Sequence, residues 1–260
     1  MAIITLTTDF GLSDWFVGTM KGVILSLDPT CRLVDLTHDI PSGDTHAAAF
    51  ALAAACRYFP KGTVHLVVVD PGVGGHRRAL AVKTRHRFFV GPDNGVLSAA
   101  LALENTIQAR QLNPAVLNRA PLSATFHGRD LFAPAAAWLS LGKSFARLGS
   151  KITEWTTDNW PAPKRDGKAI AGEVLYVDRF GNAITNLPNT LLSPTPGTAR
   201  IQIPGRTATI PVTSHYGAAR KGRAVAVPGS AGFLEVAIHQ GNAARRFKLK
   251  VGSRVRLKSS

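Results

Sequence analysis

Short, continuous apolar runs alternate with longer amphipathic or alanine-rich ones through the first 150 residues. Residues 2–8 read as a buried strand that ends in Thr8-Asp9-Phe10-Gly11. Asp14 is placed to cap a helix running to about Leu27, where Asp28-Pro29 stops it. Leu33-Val34-Asp35-Leu36 reads as a second strand, and Asp44 is placed to cap an alanine-rich helix reaching Tyr58. Residues 63–69 are apolar, β-branched and short, the pattern of a central strand buried on both faces; they lead into Asp70-Pro71-Gly72-Val73-Gly74-Gly75. Two more strands are expected near 79–84 and 86–90. A turn at Gly91-Pro92-Asp93-Asn94-Gly95 follows, then a helix, and an alanine-rich helix is expected over 129–141. Alternation of this kind predicts an α/β domain with a mainly parallel sheet over residues 1–155.

The pattern changes after Ser150. Residues 156–168 are polar, with two prolines, and read as a linker. Short strand signals separated by turns follow at 171–178, 182–186, 198–203, 206–212, 223–228, 232–239 and 253–257. They predict a smaller all-β, barrel-like domain over 169–260.

Composition removes several classes. Apolar residues make up 45% and charged residues 18%, a globular balance. No apolar run reaches the ~18–20 residues that span a bilayer, and Met1-Ala2-Ile3-Ile4-Thr5 lacks the basic start of a signal peptide. A cytoplasmic protein without membrane contact is therefore expected. Cys31 and Cys56 are too few for a disulfide framework or a four-cysteine zinc site. Eight histidines form no His-Glu-x-x-His, so no metal is expected.

The net charge of +15 points toward polyanions. Its distribution weakens that reading. Residues 201–260 carry eleven basic residues against one acid, Glu235, a net of +10. These are scattered among apolar residues, with no aromatic interleaving to stack bases. A solvated basic surface explains them, and nucleic acid is not the expected partner. The acids are twelve aspartates and four glutamates, and Asp9, Asp70 and Asp178 each follow an apolar run. In open α/β sheets the carboxyl ends of strands are where ligands bind.

Four clusters carry candidate chemistry. Asp9 leaves a buried strand, where a carboxylate suits paired hydroxyls and equally an Asx-turn. The loop Asp70-Pro71-Gly72-Val73-Gly74-Gly75-His76-Arg77-Arg78 has glycines for close backbone approach, yet it is neither a P-loop nor a dinucleotide fingerprint. Phe126-His127-Gly128-Arg129-Asp130 precedes a helix pattern. Asp178-Arg179-Phe180-Gly181-Asn182 and Gly229-Ser230-Ala231-Gly232-Phe233-Leu234-Glu235 lie in the β-rich part, where each alone is ordinary turn chemistry. No Gly-x-Ser-x-Gly elbow supports a serine hydrolase.

Taken in order with Gly91-Pro92-Asp93-Asn94-Gly95 and Leu234-Glu235-Val236-Ala237, these segments resemble the S-adenosyl-L-methionine (SAM) hydrolase family. This is the SAM hydroxide adenosyltransferase group, related to SAM-dependent fluorinase and chlorinase. The resemblance implies hydrolysis of SAM to adenosine and L-methionine by an activated water or hydroxide at the ribose C5′. It implies a catalytic triad of Asp70, Arg77 and His127. It places Asp9 at the ribose hydroxyls, Asn182 and Phe180 at the adenine with Tyr216 stacking, and Asp178 and Ser230 at the methionine end. Glu235 and Ile238 complete the substrate-binding set. It further implies a homotrimer with sites at subunit interfaces, SAM as substrate and no cofactor. Two positions depart from the fluorinase pattern: Gly43 replaces a tryptophan and Ala231 an arginine. The alternatives are a chlorinase-like halogenase, a basic nucleic-acid-binding protein, and a non-catalytic SAM or adenosine sensor.

Overall fold

A computed structural model of the 260-residue chain describes residues 1–117, 121–158, 160–192, 199–203, 205 and 209–259. The chain divides into two compact units, Met1–Asn159 and Trp160–Ser260. Among the described residues no helix is long and apolar enough to cross a membrane.

The first unit is built on a seven-stranded sheet. Its strands are β1 (Ile3–Thr8), β2 (Arg32–Thr37), β3 (Val64–Val68), β4 (Ala79–Thr84), β5 (Phe88–Pro92), β6 (Thr106–Leu112) and β7 (Gly149–Ile152), in the order β2-β1-β3-β5-β4-β6-β7. The first four in that order pair in parallel, while β4 runs antiparallel to both β5 and β6, and β7 antiparallel to β6. Five strands thus share one direction, and the sheet is mostly parallel. Strands β6 and β7 were not expected. In Thr106–Leu112 only Ala109 and Leu112 are buried and three of the others are Gln108, Arg110 and Gln111, so the apolar signal is diluted.

Helices α1 (Phe16–Leu27), α2 (Thr45–Cys56), α3 (Ser98–Ala102) and α4 (Ala133–Ser140) cover the sheet. Every residue of β3 is buried, as a parallel central strand requires. Val64, Leu66 and Val68 join Met20 and Ile24 of α1 and Ala136 of α4 in one core. Asp44 caps α2, accepting the Ala47 N–H at 2.8 Å. The expected Asp14 cap is corrected: α1 starts at Phe16, with Trp15 at the N-cap position and no side-chain cap bond. The helix starts where the Phe16 ring packs on Phe10 and Phe126, at centroid distances of 5.6 and 5.2 Å. Ahead of α4 the backbone makes one π-helical turn, Gly128–Phe132.

The second unit is antiparallel. Strands β8 (Lys164–Asp166), β9 (Ala169–Val177), β10 (Ala183–Pro188), β11 (Ala199–Gln202), β12 (Thr209–Pro211), β13 (Ala224–Pro228), β14 (Phe233–Ile238) and β15 (Arg254–Ser259) form one sheet, ordered β12-β11-β15-β9-β10-β14-β13, with β8 beside β9. A single bridge, Val212 to Ala226, links its two ends and brings it near closure as a barrel. Strand β9 pairs with β15 through its first half and with β10 through its second. At Gly172 the neighbouring side chain comes close, since a Cβ would sit 2.4 Å from Asn186 Oδ1. Strand β8 lies inside the stretch expected as linker, stitched to β9 by pairing that its polar sequence did not signal. The expected strands at 198–203 and 206–212 fall partly outside the described residues, at 198 and 206–208. A short helix, α5 (Ala243–Phe247), follows β14. In β15, Val255 and Leu257 point into the core while Arg254, Arg256 and Lys258 are exposed, so this part of the basic excess is an outward face.

His65 is the titratable group at the middle of the first sheet. It is fully buried on β3, its Nδ1 2.7 Å from Thr5 Oγ1 and its ring stacked on Phe89 at 5.1 Å. Burial, with Arg87 adding to it, pushes its pKa from 6.5 down to about 3. Between these values the unfolded chain binds a proton that the native protein refuses. Stability from this site is complete above about pH 6.5 and falls as pH drops toward 3, at up to roughly 1.4 kcal/mol per pH unit. Urea unfolding at pH 7.5 and 4.5 should show the wild type losing more stability than His65→Gln; equal losses would refute the assignment.

Candidate active site

Because β1 and β3 pair in parallel with Thr8 opposite Val68, their carboxyl ends emerge side by side. Asp9 follows one and Asp70 the other. The loop after β3 then returns through Arg77 into β4. Gly74 lets that loop lie against the next wall of the site: its φ is +77°, and a Cβ there would meet the Ala124 carbonyl oxygen at 2.3 Å. The opposing wall is the segment leading to the π-helical turn, which presents His127.

The three expected catalytic residues meet. Arg77 Nε donates to both Asp70 oxygens, at 3.0 and 2.9 Å, and Nη2 also donates to Asp70 Oδ2. The same Nη2 lies 2.8 Å from His127 Nδ1. The Arg77 guanidinium also sits over the Phe132 ring at 5.3 Å. A guanidinium has no acceptor, so Nδ1 must accept this bond and the neutral ring carries its proton on Nε2. Protonating Nδ1 would set N–H against N–H. Burial lowers the His127 pKa, Arg77 lowers it further, and Asp70 and Asp130 act in the opposite sense. Asp130, buried beside this ring, accepts the Ser123 N–H at 2.9 Å and both forks of Arg129, holding the wall together.

These groups open on a cavity of about 350 Å³ within the first unit, lined by Asp9, Phe16, Gly43, Asp70, Thr125 and His127 among others. Asp9 Oδ2 accepts the Gly43 N–H at 2.8 Å. One carboxylate oxygen thus fixes the loop and leaves the other for a ligand. The aromatic wall of Phe10, Phe16 and Phe126 had no distinctive signal in the sequence, since phenylalanines flanking a helix start read as ordinary core.

A second cluster forms in the β-rich unit. Asp178 ends β9 and organises its turn, with Oδ1 accepting the N–H groups of Phe180 and Asn182 at 2.9 and 2.8 Å. Its Oδ2 accepts from Asn182 Nδ2 at 2.9 Å, which leaves the side-chain Oδ1 of Asn182 to accept from another group. Phe180 stands at the tip, 75% exposed. Tyr216 Oη donates to Glu235 Oε2 at 2.5 Å. Glu235 is only 5% exposed, and burial raises its pKa against the lowering effect of that bond, with Asp178 raising it again. Burial and the Glu235 bond push the Tyr216 phenol up. Gly229 makes room for this carboxylate, since a Cβ would lie 2.1 Å from Glu235 Oε1. Ser230 is exposed on the adjoining turn. Ile238 is placed apart: with Leu234 and Val236 it packs on the barrel core, the opposite face of β14 from Glu235.

Both halves match family models. Residues 4–149 match the SAM hydroxide adenosyltransferase N-terminal domain and residues 172–256 its C-terminal domain. A Thermus thermophilus protein named (R)-S-adenosyl-L-methionine hydrolase is 44% identical over 257 residues, covering 96% of this chain and 97% of its own. A Salinispora tropica protein of the same name is 40% identical, covering 98% and 97%. A Nocardia brasiliensis fluorinase is 26% identical over 98% of this chain and 96% of its own. The crystal structure of an uncharacterized conserved protein from Thermotoga maritima superposes with a TM-score of 0.92 at 32% identity, covering 99% of this chain and all of that one. With both domain models matched in order across nearly its whole length, the chain belongs to the SAM hydroxide adenosyltransferase family.

Proposed function

We propose that this protein hydrolyses S-adenosyl-L-methionine to adenosine and L-methionine, and that Asp70, Arg77 and His127 activate the attacking water. The observation that carries the reading is the hydrogen-bonded chain Asp70–Arg77–His127 opening on a cavity whose other carboxylate is Asp9. The sulfonium leaves as a neutral thioether, so no acid is needed at the leaving group and no cofactor is required. What is needed is an oriented oxygen nucleophile and a proton acceptor. His127, with Nδ1 committed to Arg77, offers Nε2–H to hold the water oxygen. As the O–C5′ bond forms and the C5′–S bond breaks toward sulfur, the attacking oxygen becomes strongly acidic. A carboxylate already paired with arginine is then basic enough, and Asp70 takes the proton. The Asp70–Arg77 pair is neutral overall, so the cationic substrate is not repelled.

Asp9 takes the ribose hydroxyls on its second oxygen. Asn182, Phe180 and Tyr216 bind the adenine, and Asp178, Ser230 and Glu235 the methionine end. Because these residues divide between the two units, we propose a homotrimer in which one subunit's first unit and the next subunit's second unit share each substrate. Ile238, partly buried against the barrel core, leaves its remaining surface to complete the substrate-binding set. We place the enzyme in the cytoplasm, where its two buried free thiols, Cys31 and Cys56, stay reduced. The names of the relatives specify the (R) sulfonium epimer, and we propose that epimer as the preferred substrate here.

Purified protein given (R)- and (S)-SAM separately, with chloride present, should release adenosine and methionine, faster from the (R) form. 5′-Chloro-5′-deoxyadenosine as main product would replace the hydrolase by a halogenase, and stoichiometric binding without turnover would leave a sensor. Asp70→Asn and His127→Ala should each cut kcat by roughly 10²–10³-fold with the fold intact; full activity in both would remove the triad assignment. Because His127 works neutral and its pKa is lowered, the acid limb of kcat/KM should lie below pH 6.5, and His127→Gln should abolish that limb.

A further inference from the structure

The segment Gly91-Pro92-Asp93-Asn94-Gly95 ends β5, whose last residues are Gly91 and Pro92, turns at Asp93-Asn94-Gly95, and lines none of the cavity. Its position explains it. Strand β5 lies between β3 and β4 in the sheet, and the loop bearing Asp70 and Arg77 leaves β3 and enters β4. The turn therefore emerges between the two stems of that loop, Val69 on one side and Arg78 on the other.

It holds both. Asn94 Nδ2 donates to the Val69 carbonyl oxygen at 2.9 Å, one residue before Asp70. Arg78 Nε donates to Asp93 Oδ2 at 2.7 Å, one residue after Arg77, and the Asp93 N–H returns to the Arg78 carbonyl oxygen at 2.9 Å. Asp93 Oδ1 accepts the Thr156 N–H at 2.7 Å, and Arg78 Nη2 donates to the Glu154 carbonyl oxygen at 2.9 Å. The Asp93 side chain is 4% exposed, so its bonds to Arg78 and Thr156 satisfy a charge that would otherwise be stranded.

We infer that Asp93 and Asn94 are positioning residues for the Asp70–Arg77 pair: they clamp the two stems of its loop at a fixed separation. The inference rests on the hydrolase reading for its kinetic consequence but not for its geometry. Asn94 is needed as an amide, because it donates to Val69 while its Oδ1 accepts the Val96 N–H at 3.2 Å. Asn94→Asp keeps size and the acceptor but turns an oxygen toward the Val69 carbonyl. Asp93→Asn keeps size and removes the charge that Arg78 pairs with.

Both variants of the full chain should be assayed for adenosine release from SAM, with the folded fraction counted by adenosine-binding stoichiometry. In each, kcat per folded chain should fall about 10–100-fold while KM changes less than about threefold, as misplacement of reacting groups without loss of binding contacts requires. The ¹⁵N shifts of the His127 imidazole, which report its Nδ1 bond to Arg77, should move in both. A kcat per folded chain within about twofold of wild type in Asn94→Asp, or a loss that only tracks unfolding, overturns the inference. Unmoved His127 shifts overturn it as well, even if SAM is not the substrate. A wild type that releases no adenosine removes the hydrolase reading instead, and the imidazole shifts still decide the clamp.

Discussion

Arg77 has five donors and no acceptor, and that asymmetry sets the character of the site around it. Its fork neutralises Asp70 and commits His127 Nδ1 as an acceptor. The imidazole is thereby held neutral with its proton on the far nitrogen. The loop carrying Arg77 is fastened at both stems by the turn after β5 and runs close to the wall that presents His127, where Gly74 permits the approach. The sheet order supplies the rest, since β1, β3 and β5 run parallel and discharge Asp9, Asp70 and Asp93 at one edge.

Local electrostatics run against the global charge. The chain carries +15, yet the groups gathered at its sites are acids. In the first unit, Asp70 is balanced by Arg77 and Asp9 is held by a backbone N–H. In the second, burial raises both the Glu235 carboxyl and the Tyr216 phenol, and the charge of Asp178 adds to each. A basic surface such as the outward face of β15 surrounds water, where charges are screened. The acids lie partly or wholly buried, where screening is weaker, so the local field at each cluster differs from that of the basic surface. Hydrolysis then ends with a neutral thioether and a neutral nucleoside.

Much of this was legible because the pattern is strong where burial is complete. The run at 63–69 announced β3, and Asp44 announced the cap of α2, since each depends on near neighbours. Edge and hybrid elements were not legible. Strands β6, β7 and β8 carry polar residues on exposed faces, and their pairing partners supply what their sequences lack. Asp14 looked like a cap, but helix α1 begins where Phe16 finds Phe10 and Phe126, a contact across more than a hundred residues. The two-residue period of β14 sends Glu235 and Ile238 to opposite faces, a placement that the resemblance, which names residues without faces, does not carry.

By itself the sequence determined the two-part α/β and β-rich division and the family, and it singled out Asp70, Arg77 and His127, which the fold brings together. These follow from periodicity and from motifs whose order along the chain is their information. Tertiary structure alone decided that one guanidinium nitrogen serves both Asp70 and His127, which imidazole nitrogen keeps its proton, and that Asp93 and Asn94 brace the loop from behind. Those facts depend on hydrogen-bond direction between residues 7 to 50 positions apart. Direction is fixed by where the folded strands end, and no spacing along the chain encodes it.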